Sequence, residues 1–193
     1  MQAAIRVFQE KGYQVTTMKD IALETGLSRG TLYLYFSSTD EIFEAILEHF
    51  EAAGTLNLDM LLSKSTSVYE AIRSLLQMQE DAVTGAAESF TPTLLEYLLI
   101  ARKEKERHVK LSMRYDLGYR LLKELLQAGV NRGEFNPLIP VDQIAHTMLS
   151  LFNGMTMNAL SAGDKKINVK GQMEVLDLSL RHLLQAGSDR NDE

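Results

Sequence analysis

Between Ser28 and Tyr35 the sequence gathers one guanidinium (Arg29), four hydroxyls (Ser28, Thr31, Tyr33, Tyr35) and a bare glycine (Gly30). These groups can hydrogen-bond phosphate oxygens and base edges, which is the chemistry of reading a nucleic acid. Arg29 is the basic residue of the stretch. It can pair bidentate with a guanine, although phosphate contacts are the more common use of such a side chain. Leu34 suits contact with a thymine methyl group. Tyr33 and Tyr35, two apart, cannot share a helix face, so Tyr35 is expected outside and Tyr33 at the domain edge. No comparable set exists for catalysis. Glu104 and His108, and Asp142 and His146, stand four apart and read as surface ion pairs of little energetic weight. The chain lacks HExxH, a glycine-rich phosphate loop, GxSxG and cysteine. Catalytic residues, a metal, a cofactor and enzyme activity are therefore not expected.

Two short helices would have to position the Ser28–Tyr35 groups. Thr17 can cap the first, with Asp20 completing a capping box, and Ile21 and Ala22 turn inward. Gly26 permits a left-handed turn, and Leu27 offers that turn an apolar plug. Ser28 can cap the second helix, whose Leu32 and Phe36 face inward at i, i+4. Arg29, Gly30, Thr31, Leu34 and Tyr35 are then left facing out on a helix able to enter a major groove. This is the layout of a helix-turn-helix. A preceding helix runs from Met1 to about Lys11 and stops at Gly12-Tyr13. A fourth starts at Ser38-Thr39-Asp40-Glu41, an S-x-x-E box, buries Ile42, Phe43, Ile46 and Leu47, and fades near Gly54. Residues 54–67 read as a linker. Helical periodicity returns at about 67–86, 92–102, 104–132, 141–161 and 169–186, and no segment alternates with period two. The expected fold is all-α: a three-helix reading head with a connecting fourth helix (1–53) and a larger helical body (54–193).

With 193 residues, 45% of them hydrophobic and 24% charged, the composition is that of a globular protein. No run is long and apolar enough to span a membrane and no leader is evident, so a cytoplasmic protein without a membrane partner is expected. The net charge of −6 argues against a surface that binds nucleic acid everywhere. The first fifty residues hold four basic side chains (Arg6, Lys11, Lys19, Arg29) against seven acidic ones, a net −3. Affinity for DNA rests largely on Lys and Arg releasing counterions, so this head is poor in the usual currency. The sequence opens inside an amphipathic pattern, and a basic segment preceding Met1 would make up the deficit.

In the body, residues 141–160 are apolar around most of the helix, and residues 169–186 repeat the pattern with Val175, Leu176, Leu178, Leu180, Leu183 and Leu184. Helices apolar all round are buried on more than one side. A second copy of the chain is the natural cover, so homodimerisation is expected through 141–161 and 169–186. Met78, Phe90, Leu94, Tyr97, Met113, Phe152 and Met155, with Asn153 as a further polar group, are candidates to line an apolar effector cavity. Each serves equally as ordinary core.

The stretch AAIRVFQEKGYQVTTMKDIALETGLSRGTLYLYFSSTDEIFEAIL (residues 3–47) resembles the DNA-binding domain of the tetracycline-repressor (TetR) family of bacterial transcription regulators. Phe8, Gly12 and Tyr13 carry the resemblance with Ile21-Ala22, Gly26-Leu27-Ser28, Gly30-Thr31-Leu32-Tyr33 and Phe36. The rest of the chain is similar in architecture alone. The resemblance implies a dimeric helical repressor of roughly nine helices that binds a palindromic operator in double-stranded DNA and answers to a small effector. It implies phosphate bonds from Thr17 and Tyr33, and places Arg29, Gly30, Thr31, Leu34 and Tyr35 at the groove. The family usually carries lysine where this chain has Thr39, so that corner loses a counterion-releasing contact. Thr39 and the net −3 keep a rival open: a helical small-molecule- or partner-binding protein with a degenerate head.

Overall fold

The computed structural model describes residues 1–186, apart from the side chains of residues 56 and 57. Among the described residues it contains ten α-helices, one 3₁₀ turn at Ala86–Glu88, and no strand. The helices are α1 Gln2–Lys11, α2 Met18–Thr25, α3 Arg29–Tyr33, α4 Thr39–Lys64, α5 Val68–Thr84, α6 Thr91–Ala101, α7 Lys105–Asn131, α8 Val141–Ala162, α9 Asp164–Ile167 and α10 Val169–Leu184. The chain divides into two compact units. The first is Met1–Gly54 with Ala86–Arg114, and the second is Thr55–Gly85 with Tyr115 onward.

Residues 86–114, read from sequence as body, cluster with residues 1–54. Aromatic packing explains why. Phe43 of α4 meets Phe8 edge-on at 5.0 Å, Tyr97 of α6 at 4.8 Å and Phe90 at 5.1 Å. Phe8, Phe43 and Tyr97 have no exposure to solvent. Burying an aromatic side chain contributes about 1.5–3 kcal/mol, so α6 is held to α1 and α4 by the strongest apolar contacts available.

Two further expectations change. α4 does not fade at Gly54 but continues ten residues to Lys64. A Cβ at Gly54 would meet nothing within 4 Å, so this glycine lies on an open face and costs only its helix propensity, about 1 kcal/mol. Leu58, Leu61 and Leu62 recur at i, i+3, i+4 and pack into the second unit's core, which offsets that cost. α4 therefore contributes to both units, as does α7. The second change is Leu27, which is 44% exposed and does not plug the turn. There the Thr25 hydroxyl bonds back to the Ile21 carbonyl at 2.8 Å and accepts from the Leu27 N–H at 3.4 Å.

The second unit is built from the ends of α4 and α7 with α5, α8 and α10, around Ile72, Leu125, Leu126, Ile144, Met148, Leu180 and Leu184. Ser67 caps α5, and the Glu134 carboxylate accepts from the Val68 N–H at 2.6 Å. Along α8 and α10 a groove of about 530 Å³ is lined by Ile139, Ile144, Leu151, Ile167, Val175 and Leu183 among others. Its rim leaves Val175 and, beside it, Leu178 about two-thirds exposed. No described helix is long and apolar enough to cross a membrane.

Candidate nucleic-acid interface

The α1–α2 turn, α2 and α3 place the candidate residues. Thr17 caps α2 in a true capping box: its hydroxyl accepts from the Asp20 N–H at 3.2 Å, and Asp20 accepts from the Thr17 N–H at 3.0 Å. The Thr17 hydroxyl also donates to Asp20 at 2.7 Å. Both of its donors are thus committed to one carboxylate, so a phosphate bond from Thr17 has to compete with Asp20. Gly26 closes α2 at φ 69°, ψ 9°, the left-handed cap expected of it. Ser28 caps α3, accepting from the Thr31 N–H at 3.0 Å, with its hydroxyl 2.8 Å from that of Thr31. Leu32 is buried, and Phe36 is half-buried against the same core.

This arrangement turns the remaining side chains outward. Leu34 is 82% exposed, and Tyr35 at 71% is more exposed than Tyr33 at 48%. Arg29 and Gly30 are exposed, while Thr31 and Thr39 are half-buried. α3 is only five residues long, and Leu34, Tyr35 and Phe36 continue it as a tight turn through N–H bonds to Thr31 and Leu32. At α4 the S-x-x-E box is shifted by one residue. Glu41 accepts from the backbone N–H of Ser37, at 2.6 Å, rather than from that of Ser38, while Ser38 still accepts from the Glu41 N–H at 3.2 Å.

The charges of the head are arranged in a way the sequence does not display. Arg6 pairs with Glu24 at 2.9 Å and Lys11 with Asp20 at 2.6 Å, joining α1 to α2. Among the described residues, Lys19 and Arg29 are the head's basic side chains outside any ion pair. The hydrogen bonds from Lys11 and Thr17 hold the Asp20 carboxyl down at about 2, below its ordinary 3.8. A carboxyl depressed in the folded state stabilises the fold above its unfolded pKa and loses that contribution as the pH falls through the folded value. The thermal midpoint of the wild-type chain should therefore exceed that of Asp20→Asn at pH 5 and above, with the gap closing between about pH 4 and pH 2. A gap constant across that window would remove Asp20 from this role.

Sequence reasoning also missed a polar network beneath the reading surface. The Tyr13 hydroxyl donates to Asp40 at 2.6 Å and accepts from Arg107 at 2.8 Å, and Arg107 pairs with Asp40 and, at 2.9 Å, with Glu104. Tyr97 donates to Glu44, which also pairs with Arg114 at 2.9 Å. Burial and the adjacent carboxylates push both tyrosine hydroxyls well above their ordinary range. Burial pushes Glu44 up, but the Tyr97 and Arg114 bonds outweigh it and the carboxyl sits below its ordinary value. These tyrosines are permanent donors at any physiological pH.

The eight candidate effector residues are split equally between the two units. Phe90 and Tyr97 lie in the aromatic core of the first unit, Leu94 is half-buried beside them, and Met113 is 64% exposed on α7. In the second unit Phe152 and Met155 are core, whereas Met78 and Asn153 are exposed. None of the eight lines the α8–α10 groove. Tyr97 keeps a polar role, but its partner is Glu44.

The chain's similarities extend over nearly all of it. Residues 1–46 match the model of the tetR family of bacterial regulatory proteins, and residues 71–170 match the tetracyclin repressor-like C-terminal domain. An uncharacterized HTH-type transcriptional regulator of Bacillus subtilis (strain 168), YfiR, is 39% identical over 186 residues, covering 96% of this chain and 90% of that one. The HTH-type transcriptional repressor KstR2 of Mycolicibacterium smegmatis is 24% identical over 153 residues, 75% of this chain and 69% of its own. In three dimensions the fatty acid degradation regulator FadR of Bacillus halodurans superposes with a TM-score of 0.71 at 21% identity, covering 99% and 94% of the two chains.

Proposed function

The chain belongs to the tetracycline-repressor family of bacterial regulatory proteins, and we propose on that footing that it is a ligand-responsive repressor that grips a palindromic operator as a homodimer. The observation that carries this reading is α3: a Ser28-capped turn of helix with Arg29, Gly30, Leu34 and Tyr35 turned to solvent. Leu34 and Tyr35 stand side by side, 82% and 71% exposed. They fit a groove, where Leu34 meets a thymine methyl, Tyr35 lies along the sugar-phosphate edge and Arg29 bonds a phosphate or guanine. Tyr33, Thr39, Ser28, Thr31 and, after yielding Asp20, Thr17 complete the contacts.

The dimer forms through α8 and α10. Their groove and the exposed Val175, Leu178 and Leu151 form one apolar face, and a four-helix interface with the same helices of a second copy would cover it. A two-fold axis then sets two heads about one turn of DNA apart or somewhat more. The effector is a small, largely apolar molecule taken up by the body. It binds better to the arrangement of the dimer that cannot seat both heads, and so lowers operator affinity by population shift. The protein acts in the cytoplasm and needs no cofactor.

Selection of genomic DNA fragments by the wild-type chain tests this reading. Enrichment of palindromes is expected, and none by Leu178→Asp, which puts a charge into the dimer face and should run as a monomer. If the wild type enriches nothing even at low salt, the chain is instead a partner- or small-molecule-binding protein with a relict head, the reading that the paired Arg6 and Lys11 favour.

A further inference from the structure

α6 lies outside the matched DNA-binding region, yet three of its side chains bond to the segments that flank the helix-turn-helix: α1, the α1–α2 turn and α4. Thr93, Glu96 and Tyr97, at i, i+3 and i+4, share one face. The Thr93 hydroxyl donates to the Phe8 carbonyl, near the end of α1, at 3.0 Å. Tyr97 donates to Glu44 of α4. Between them the two carboxylate oxygens of Glu96 accept from successive backbone N–H groups of the α1–α2 turn, Tyr13 at 2.7 Å and Gln14 at 3.1 Å. An ionised acceptor makes such bonds roughly twice as strong as neutral ones, and two parallel bonds fix orientation as well as distance.

Gly12 shows how closely the turn is fitted to this carboxylate. Its φ of 86° is one that side chains rarely adopt, and a Cβ built there would stand 2.8 Å from Glu96 Oε2. The backbone thus calls for glycine here, and an added methyl would also push the Glu96 carboxylate from its place. The same turn carries Tyr13, whose hydroxyl is gripped by Asp40 and Arg107. The segment that leads directly into the Thr17 cap of α2 is thus tethered by its backbone to α6 and by its side chain to α4 and α7.

We propose that Glu96 is a positioning residue of the DNA reader: by clamping the Tyr13 and Gln14 amides it fixes where α2 and α3 are presented to the groove. The proposal rests on the DNA-binding reading above. It makes Glu96, from outside residues 1–46, part of what positions the reader.

The test is operator affinity of the full-length dimer, measured at fixed salt and well below every variant's melting temperature, on a fragment selected by the wild type. Glu96→Ala should weaken binding by tenfold or more. Glu96→Gln, which keeps the shape but sets an NH2 donor against one of the two amides, should lose part of the affinity while melting near the wild type, which guards against a folding defect in the alanine variant. Gly12→Ala should be costly in the wild-type background and clearly less so with Glu96→Ala, because the contact at Oε2 is gone. If Glu96→Ala lowers the melting temperature but binds the operator like the wild type, the role is structural and the proposal is overturned. Wild-type affinity in the glutamine variant, which can accept from only one of the two amides, would overturn it too. If the wild type binds no fragment, it is the DNA-binding reading that fails, a result distinct from the other two.

Discussion

Arg29→Ala is expected to lower operator affinity about a thousandfold while leaving dimerisation and thermal stability almost unchanged. Arg29 lies exposed at the first turn of α3 and makes no ion pair among the described residues, so its removal should cost the fold little. Surface changes of that kind usually alter stability by less than about 0.5 kcal/mol. On DNA, one well-made side-chain contact contributes about 1–3 kcal/mol, and a symmetric dimer makes it twice at sites too far apart to interact. About 4 kcal/mol in all corresponds to a factor near a thousand. Anisotropy titration of a labelled operator at one salt concentration reads the change directly. A loss below tenfold would take α3 out of the role of recognition helix, and a dimer that dissociates would show that the effect is not local.

The second large effect concerns salt. With Arg6 and Lys11 tied to Glu24 and Asp20, each head presents Lys19 and Arg29 to phosphate, four cations per dimer. Each cation that neutralises a phosphate contributes about −0.9 to the slope of log affinity against log salt, so a slope near −4 is expected. Thr39→Lys should steepen it by about 2 and tighten binding at low salt, since it restores a charge at the start of α4 in both heads. A wild-type slope steeper than about −7 would mean that the α1–α2 ion pairs open on DNA and release their cations.

What could be read from sequence follows the range of the forces involved. The Thr17–Asp20 box, the Gly26 cap and the Ser28 cap are satisfied within three or four residues, so residue type and spacing reveal them, and the exposure of Leu34 and Tyr35 follows from the same short helix. The extent of α4 was hidden because Gly54 looks like a stop, whereas its open face makes the glycine tolerable and Leu58 carries the helix on. The attachment of α6 to the head was hidden for a different reason. Its bonds join residues more than eighty positions apart, Thr93 to Phe8 and Glu96 to Tyr13, and no local periodicity records such a partner. Phe90 and Tyr97 look like pocket lining because aromatic residues at helical spacing suit a cavity and a core equally. Only the ring of Phe43 between them decides for core.

The internal pairing of Arg6 and Lys11 also bears on how such a protein finds its site. Random genomic DNA competes for a regulator almost entirely through phosphate charge, which rewards every free cation whatever the sequence. A head that neutralises half of its own cations is held only weakly by that bulk. It slides less and is less steered over distance, but few of its copies are trapped on the wrong DNA. Discrimination would then fall to the contacts of α3, Arg29 among them.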